Sequence, residues 1–277
     1  MLRHVNRLRS AVYGIAIGDA LGLPVQFQSR DSYPEVTEMI KGELPWPAGT
    51  WSDDTSLTLA TVDSLLTCEG VDVPDMRARF MDWMDNGAYT QDGEAFDQGF
   101  TTVHALTHGR GCTNEQSNGN GSLMRILPLA FVKNLSDEQI AQVSGITHAH
   151  PLSVEACTVY VHAAQLILDG FSLTEALETA SLSSEIFSYL ADIGSKKRNE
   201  IRSTGYVKDS LEASFWCLLT TDNFRDALIR AVNLGDDTDT IGAITGGMAG
   251  LVYGMESVPD SWMNALRKKE IIERCLA

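Results

Sequence analysis

The sequence predicts an all-α protein on three observations. Apolar residues recur at three- and four-residue spacing along most of the chain, helix-start signals are frequent, and the apolar–polar alternation of half-buried strands is almost absent. Strands alternating with helices do not appear. With 277 residues, 44% of them hydrophobic and 21% charged, the chain can bury a sizeable core, and one domain over 1–277 is the expected organisation.

In chain order, periodicity predicts a first helix over Val5 to Ile17 and a second over Leu57 to Leu66. Asp53 and Asp54 stand at the start of the second, where the positive end of the helix dipole favours carboxylates. Met76 to Met84 repeats the pattern. Ser117 to Arg125 reads as a glycine-rich turn leading into an apolar helix kinked at Pro128. Ser136 with Gln139 and Ser172 with Glu175 have capping-box spacing, in which the cap hydroxyl accepts the amide three residues on while the longer side chain reaches back. Between those boxes, Pro151 suits a first helical position, and Val154, Cys157, Val161, Ala164 and Leu168 carry one long core helix up to Gly170. Lys196 to Lys208 reads as an exposed polar loop, followed by helices over Leu211 to Leu219 and Phe224 to Val232. The uncharged segment Thr240 to Gly254 places Gly242, Gly246, Gly250 and Gly254 four apart, so a helix there presents a bare stripe to a second backbone. Such close packing must outweigh a helix-propensity cost of about 1 kcal/mol per glycine.

Lys and Arg number 21 against 37 Asp and Glu, a net charge of −16 that argues against nucleic acid or an anionic membrane as partner. The five cysteines are scattered, never in a Cys-x-x-Cys pair, and read as reduced thiols of a cytoplasmic protein. Arg3, Arg7 and Arg9 before Ala11 to Ile17 imitate a targeting segment, but Gly18-Asp19 interrupts it too soon. No run is read as a membrane span, and a monomer is expected.

Two acidic clusters nearly two hundred residues apart carry the chemistry. Ser52-Asp53-Asp54-Thr55 and Asp236-Asp237-Thr238-Asp239-Thr240 both alternate carboxylates with hydroxyls. Burying such clusters without a counter-ion costs several kcal/mol per charge, so a cation is the simplest way to hold them together. Oxygen ligands suit a hard ion such as Mg²⁺, Mn²⁺ or Ca²⁺, and the two clusters read as halves of one metal site. Taken alone, the first reads equally as a plain helix cap. An EF-hand beginning at Asp237 fails because its twelfth residue is Met248 where a bidentate Glu is needed. The aspartyl-phosphate signature also fails, since a helical segment and not a buried strand precedes Asp237.

Asn118, Gly119, Asn120, Gly121 and Ser122 form a turn whose amides can cradle a phosphate, although a plain surface turn has the same composition. Arg125 reads as a ligand contact or as a structural ion-pair partner. His148, in Thr147-His148-Ala149-His150, reads as a ligand contact or as a cap for the preceding helix, and Asp97 as an exposed cap or a supporting carboxylate.

In order along the chain, Gly14-Ile15-Ala16-Ile17-Gly18-Asp19-Ala20-Leu21-Gly22, Trp51 to Thr55, Gly119 to Arg125, Thr147-His148 and Asn233 to Ile241 together resemble the ADP-ribosylglycohydrolase family. The resemblance implies a compact orthogonal helical bundle with a central cleft holding two divalent cations, Mg²⁺ or Mn²⁺. It implies hydrolysis of the bond between ADP-ribose and an acceptor, most often arginine, so the partner is an ADP-ribosylated protein or a small ADP-ribose conjugate. Ser52, Asp53 and Asp54 match the first ligand group, and Asp237, Asp239 and Thr240 the second. The glycine-rich turn and His148 match the part that holds diphosphate and ribose. Asp54 or Asp237 is the expected group to orient or deprotonate the attacking water. Gln26 departs from the pattern, since many relatives carry Glu there and an amide is no general base at neutral pH. That departure keeps open a metal-bound water used with an Asp instead, a different substrate, or an ADP-ribose-binding member without turnover, and a metal-dependent phosphohydrolase is the remaining alternative.

Overall fold

The computed structural model describes residues 2–42 and 45–277. Its twelve α-helices are α1 (Val5–Gly22), α2 (Asp53–Thr67), α3 (Val73–Asn86), α4 (Phe100–His108), α5 (Asp137–Ser144), α6 (Pro151–Leu168), α7 (Leu173–Leu182), α8 (Val207–Leu219), α9 (Phe224–Val232), α10 (Thr238–Tyr253), α11 (Asp260–Ala265) and α12 (Lys269–Cys275). Short 3₁₀ turns join them. Among the described residues there is no sheet, only three isolated bridges, so the all-α expectation holds.

The centre of the fold is the pairing of α1 with α10, and glycines on both make it possible. A Cβ added to Gly14 would lie 2.0 Å from the carbonyl oxygen of Gly246, and one added to Gly18 would lie 1.9 Å from that of Gly242. In the other direction, a Cβ on Gly250 would lie 2.2 Å from the carbonyl oxygen of Ser10. The two backbones therefore touch along most of their length, with Ile15, Ile17, Ile241, Ile244 and Met248 buried around the contact. Both capping boxes form, and Asn223 caps α9 by accepting from the Asp226 amide at 2.8 Å.

Helix α6 has the 18-residue length and the mean hydropathy, 1.2, of a minimal membrane span, which the sequence reading did not credit to it. It lies 56% buried inside the protein, and its Tyr160 donates to the carbonyl of Ile244 on α10 at 2.6 Å.

Two local expectations need correction. Leu123 to Phe131 is not one kinked α-helix but two 3₁₀ turns, because Pro128 has no amide to donate and its ring disfavours a continuing helix. The segment from Lys196 to Lys208 is only partly exposed. Ile201 and Ser203 are buried, and Arg30 donates to the carbonyls of Arg198 and Ile201, each at 2.6 Å. Asn120 and Asp237 in turn donate their backbone amides to Gly205 and Ser203, each at 3.0 Å, so this segment braces both the glycine-rich turn and the second acidic cluster.

Candidate active site

Helices α2 and α10 begin side by side, and each starts with one of the acidic clusters. The Thr240 hydroxyl lies 3.4 Å from Asp54 Oδ2 and 3.3 Å from Asp237 Oδ1, so residues 186 positions apart share one polar centre. Ser52 donates its hydroxyl to Asp54 Oδ2 at 3.0 Å. Asp19, Asp54 and Asp239 each bring a carboxylate oxygen within 4.8 Å of the other two.

The three carboxylates are not equivalent. Asp19 accepts the Ser52 amide at 2.9 Å, the Thr55 amide at 3.1 Å and the Thr55 hydroxyl at 2.6 Å, so its oxygens are already supplied with donors. In contrast, Asp54 Oδ1 and both oxygens of Asp239 are buried and accept nothing among the described residues. Buried carboxylate oxygens left in this state cost several kcal/mol, and a hard cation with oxygen ligands removes that cost. The donor set therefore fits a metal ion, with Asp54 and Asp239 as the groups most in need of one. Asp19 fits the role of holding α2 in place behind them.

Without a cation, electrostatics oppose ionisation throughout the cluster. Burial, then the charge of Asp54, pushes Asp53 well above the usual carboxylate range. Burial followed by Asp19 does the same to Asp54, and burial followed by Asp237 does it to Asp239. Burial raises Asp237 against the hydrogen bond from Asn120, and raises Asp19 to about 7 against the bonds from Thr55 and Ser52.

A cavity of about 310 Å³ opens on this centre. Asp53, Asp237 and Thr240 face it from the acidic side, Gly119, Asn120, Gly121 and His148 from another, and Gln26 with Asp97 from a third. Asn120 donates to Asp237 Oδ2 at 2.6 Å and so joins the glycine-rich turn to the second cluster. Gln26 donates its amide to Asp97 Oδ2, also at 2.6 Å. Phe27, Asp97 and Asp236 all adopt left-handed backbone conformations, which cost about 1–3 kcal/mol each for non-glycine residues and gather at this one site. A larger cavity of about 530 Å³ lies elsewhere, but its Arg198 is paired with Asp31, and its Arg230 donates to the Thr220 carbonyl beside the Trp216 ring. Those two guanidinium groups, already engaged within the protein, are poorly placed to hold an anionic ligand.

Three residues expected to contact substrate do not line the cleft. Asn118 is buried, accepting from Ser153 at 3.0 Å and donating to the Glu115 carbonyl at 3.0 Å, so it fastens the turn to α6. Ser122 is buried behind the turn and accepts from Ser144 at 3.0 Å. Arg125 is wholly buried, with its guanidinium 4.4 Å from the Phe80 ring centre and 2.8 Å from Thr147 Oγ1. It reaches the cleft only through others: Thr147 Oγ1 is 2.8 Å from His148 Nδ1. With Arg125 donating to that hydroxyl, the hydroxyl proton is free to point at Nδ1, the arrangement that leaves the ring proton of His148 on Nε2. Burial, with the Arg125 charge second, lowers His148 to about 3, so the ring is a neutral donor.

Asp19 and Ser203 were missed in the sequence. Asp19 directly follows Gly18 in the glycine-rich stretch Gly14 to Gly22, and a lone carboxylate inside that otherwise apolar run was the available signal. Nothing in the local pattern marks Ser203.

The ADP-ribosylglycohydrolase family profile matches residues 2–277. Over 283 residues the chain is 33% identical to an ADP-ribosylarginine hydrolase, Tri1, of Serratia proteamaculans, covering 97% of this chain and 77% of that protein. It is 29% identical to the ADP-ribosyl-[dinitrogen reductase] glycohydrolase of Rhodospirillum rubrum, covering 95% and 91%. A solved structure described as an ADP-ribosylglycohydrolase-related protein complex superposes with a TM-score of 0.82 at 30% identity, covering 98% of this chain and 96% of that one. With buried carboxylate oxygens unsatisfied among the described residues behind the acidic wall of a cleft, and a match along essentially its whole length, the chain belongs to the ADP-ribosylglycohydrolase family.

Proposed function

We propose that the protein is a metal-dependent hydrolase that cleaves the glycosidic bond between ADP-ribose and an arginine side chain. The observation that carries this reading is the meeting of the two acidic clusters at a cleft, with three buried carboxylate oxygens that lack donors. The name of the Serratia relative supplies the acceptor.

In this reading Asp53, Asp54, Asp237 and Asp239, with the hydroxyls of Ser52 and Thr240, hold divalent cations, Mg²⁺ or Mn²⁺ and two in number. Bound there, such ions act as Lewis acids that orient the ribose hydroxyls and favour water as a nucleophile. The chain does the rest by position. The amides of Gly119 and Gly121 take the diphosphate, that of Asn120 being given to the Gly205 carbonyl, and so lend local positive potential to an anionic ligand in a protein of net charge −16. His148, neutral and with its proton on Nε2, donates to a ribose or phosphate oxygen without adding charge. Asp237, fixed by Asn120, faces the cavity and takes the proton of the attacking water. Asp97, carrying the Gln26 amide on one oxygen, faces the guanidinium that leaves. Holding both reacting partners in this geometry lowers the barrier chiefly by orientation.

The test is to incubate the protein with Mg²⁺ or Mn²⁺ and an ADP-ribosyl-arginine protein and to identify the product. Free ADP-ribose supports the reading, inorganic phosphate points to a phosphohydrolase, and metal-dependent nucleotide binding without release points to a binding member of the family.

A further inference from the structure

A second chamber of about 370 Å³ adjoins the cleft and has a different character. Pro24, Phe27, Trp46 and Phe96 give it aromatic and apolar walls, and Gln26, Phe27 and Asp97 belong to both spaces. Neither the glycine-rich turn nor His148 lines it, so it opens from the end of the cleft that Gln26 and Asp97 bound.

We propose that this chamber is the acceptor subsite, and that Trp46, Phe96 and Phe27 seat the arginine side chain and adjoining backbone of the ADP-ribosylated protein while Asp97 pairs with the guanidinium. This rests on the hydrolase reading and adds to it where the leaving side of the substrate lies. Charge decides which end of the substrate enters. A diphosphate is repelled by the Asp97 carboxylate, whereas a guanidinium is attracted to it. Asp97 Oδ2 is occupied by the Gln26 amide, and Oδ1 has no hydrogen bond among the described residues. A guanidinium is planar, weakly hydrated and always cationic, and it stacks on aromatic faces as well as pairing with carboxylates. The chamber offers both.

The walls are built to stay in place. The Trp46 and Phe96 rings stack with centroids 4.4 Å apart and planes 23° from parallel, joining two loops distant in sequence. Phe27 is 73% exposed, an unusual exposure for a large aromatic side chain, on a left-handed backbone at φ 63°. That conformation is held by its amide, which donates to the Asp236 carbonyl at 2.6 Å, while the Asp236 amide donates back to Gln28 at 2.8 Å. An aromatic wall is thereby fixed to the residue that precedes Asp237, so the acceptor end is indexed to the acidic centre. The net charge of −16 adds a general attraction for cationic acceptor segments.

The test compares Trp46→Ala and Phe96→Ala, which alter walls of the chamber alone, with the parent protein, using an ADP-ribosyl-arginine peptide as substrate and free ADP-ribose as a ligand that lacks the acceptor. Each variant is expected to lower kcat/KM for the peptide about tenfold, chiefly through KM, while Trp46→Phe restores most of it. Affinity for ADP-ribose by calorimetry should stay within about twofold. A parallel fall in ADP-ribose affinity would assign the chamber to the nucleotide end, and unchanged kcat/KM in both variants would leave it no part in binding; either result overturns the proposal. A parent protein that releases no ADP-ribose removes the hydrolase reading and the subsite with it, an outcome visible before any variant is made. Because the two variants alter separate segments, misfolding of one, seen by circular dichroism, leaves the other to decide.

Discussion

Asp19 on α1 is the N-terminal cap of α2, accepting the amides of Ser52 and Thr55 across a gap of more than thirty residues. The residue at the cap position, Ser52, does not cap with its own side chain, because its hydroxyl is turned to Asp54. The helix that presents Asp53 and Asp54 is thus seated on α1 by a buried carboxylate. Removing it leaves two amides and a hydroxyl without acceptors. Asp19→Ala is expected to lower unfolding stability by about 2 kcal/mol, even after relief of the buried charge, and Asp19→Asn by less. Urea unfolding measures both, and an Asp19→Ala midpoint equal to the parent's would remove Asp19 from the support of the site.

Raised carboxylates make a pH prediction with a definite sign. For Asp19, Asp53, Asp54, Asp237 and Asp239 the folded protein without metal holds protons more tightly than the unfolded chain does. Stability is then greatest below the ordinary carboxylate range near 4 and falls as pH rises toward the folded values, with Asp19 at about 7 the one that is placed. A cation reverses this by favouring the ionised forms. The rise in Tm on adding Mg²⁺ or Mn²⁺ to chelator-treated protein should therefore be larger at pH 8 than at pH 5.5. Equal rises at both values would mean that Asp53, Asp54, Asp237 and Asp239 are not the ligands.

The α1–α10 contact predicts unequal effects for glycines. In Gly18→Ala the new carbon meets the Gly242 carbonyl, which is backbone and cannot turn away, and the expected loss is about 3 kcal/mol. In Gly70→Ala nothing lies within 4 Å and the backbone is not left-handed, so the change should stay within about 0.5 kcal/mol. Thermal unfolding of the pair tests whether the stripe is a packing device. Similar losses at the two sites would contradict that.

What the sequence made legible follows from the range of the forces involved. Capping boxes at Ser136 and Ser172, Pro151 at the first turn of α6 and the span of α9 are local, and each is found where its pattern lies. The glycine stripe was readable as a need for a close partner, but nothing in Thr240 to Gly254 names α1 as that partner. At the site, the acidic clusters were legible because dense carboxylates are improbable without a cation. The places of Asn118, Ser122 and Arg125 were not, because a polar residue in a glycine-rich turn has the same local pattern whether it faces a ligand or a neighbouring helix. Asp19 was hidden for a related reason: its donors are amides from another segment, and amides leave no mark in a sequence.

Within the two acidic clusters, Asp237 is the carboxylate that both faces the cavity and is oriented by a neighbour, Asn120. Asp237→Asn keeps the shape and can accept from only one of Asn120 and Thr240, and it removes the base, one proposed metal ligand and one negative charge. Release of ADP-ribose from an ADP-ribosyl-arginine protein should fall by about three orders of magnitude, with the far-ultraviolet circular dichroism unchanged. Turnover within tenfold of the parent would shift the role of base to Asp54.

Gln26 and Asp97 supply the last prediction, because their 2.6 Å contact explains why an amide is suited to position 26. Gln26 donates to Asp97, whereas a Glu at the same place would set two carboxylates together, and one of them would hold a proton to well above the usual range. Gln26→Glu alone should therefore lower kcat/KM toward the arginine-linked substrate and give it a new dependence on pH near neutrality. The double change Gln26→Glu with Asp97→Asn restores an amide–carboxylate pair with the roles exchanged, and the added pH dependence should vanish. Placing the carboxylate at position 26 also tests linkage preference, since a gain in release from a serine-linked substrate would mean that the polarity of this pair selects the acceptor. If single and double variants share one pH profile, the contact between Gln26 and Asp97 has no bearing on the ionisation of the cleft.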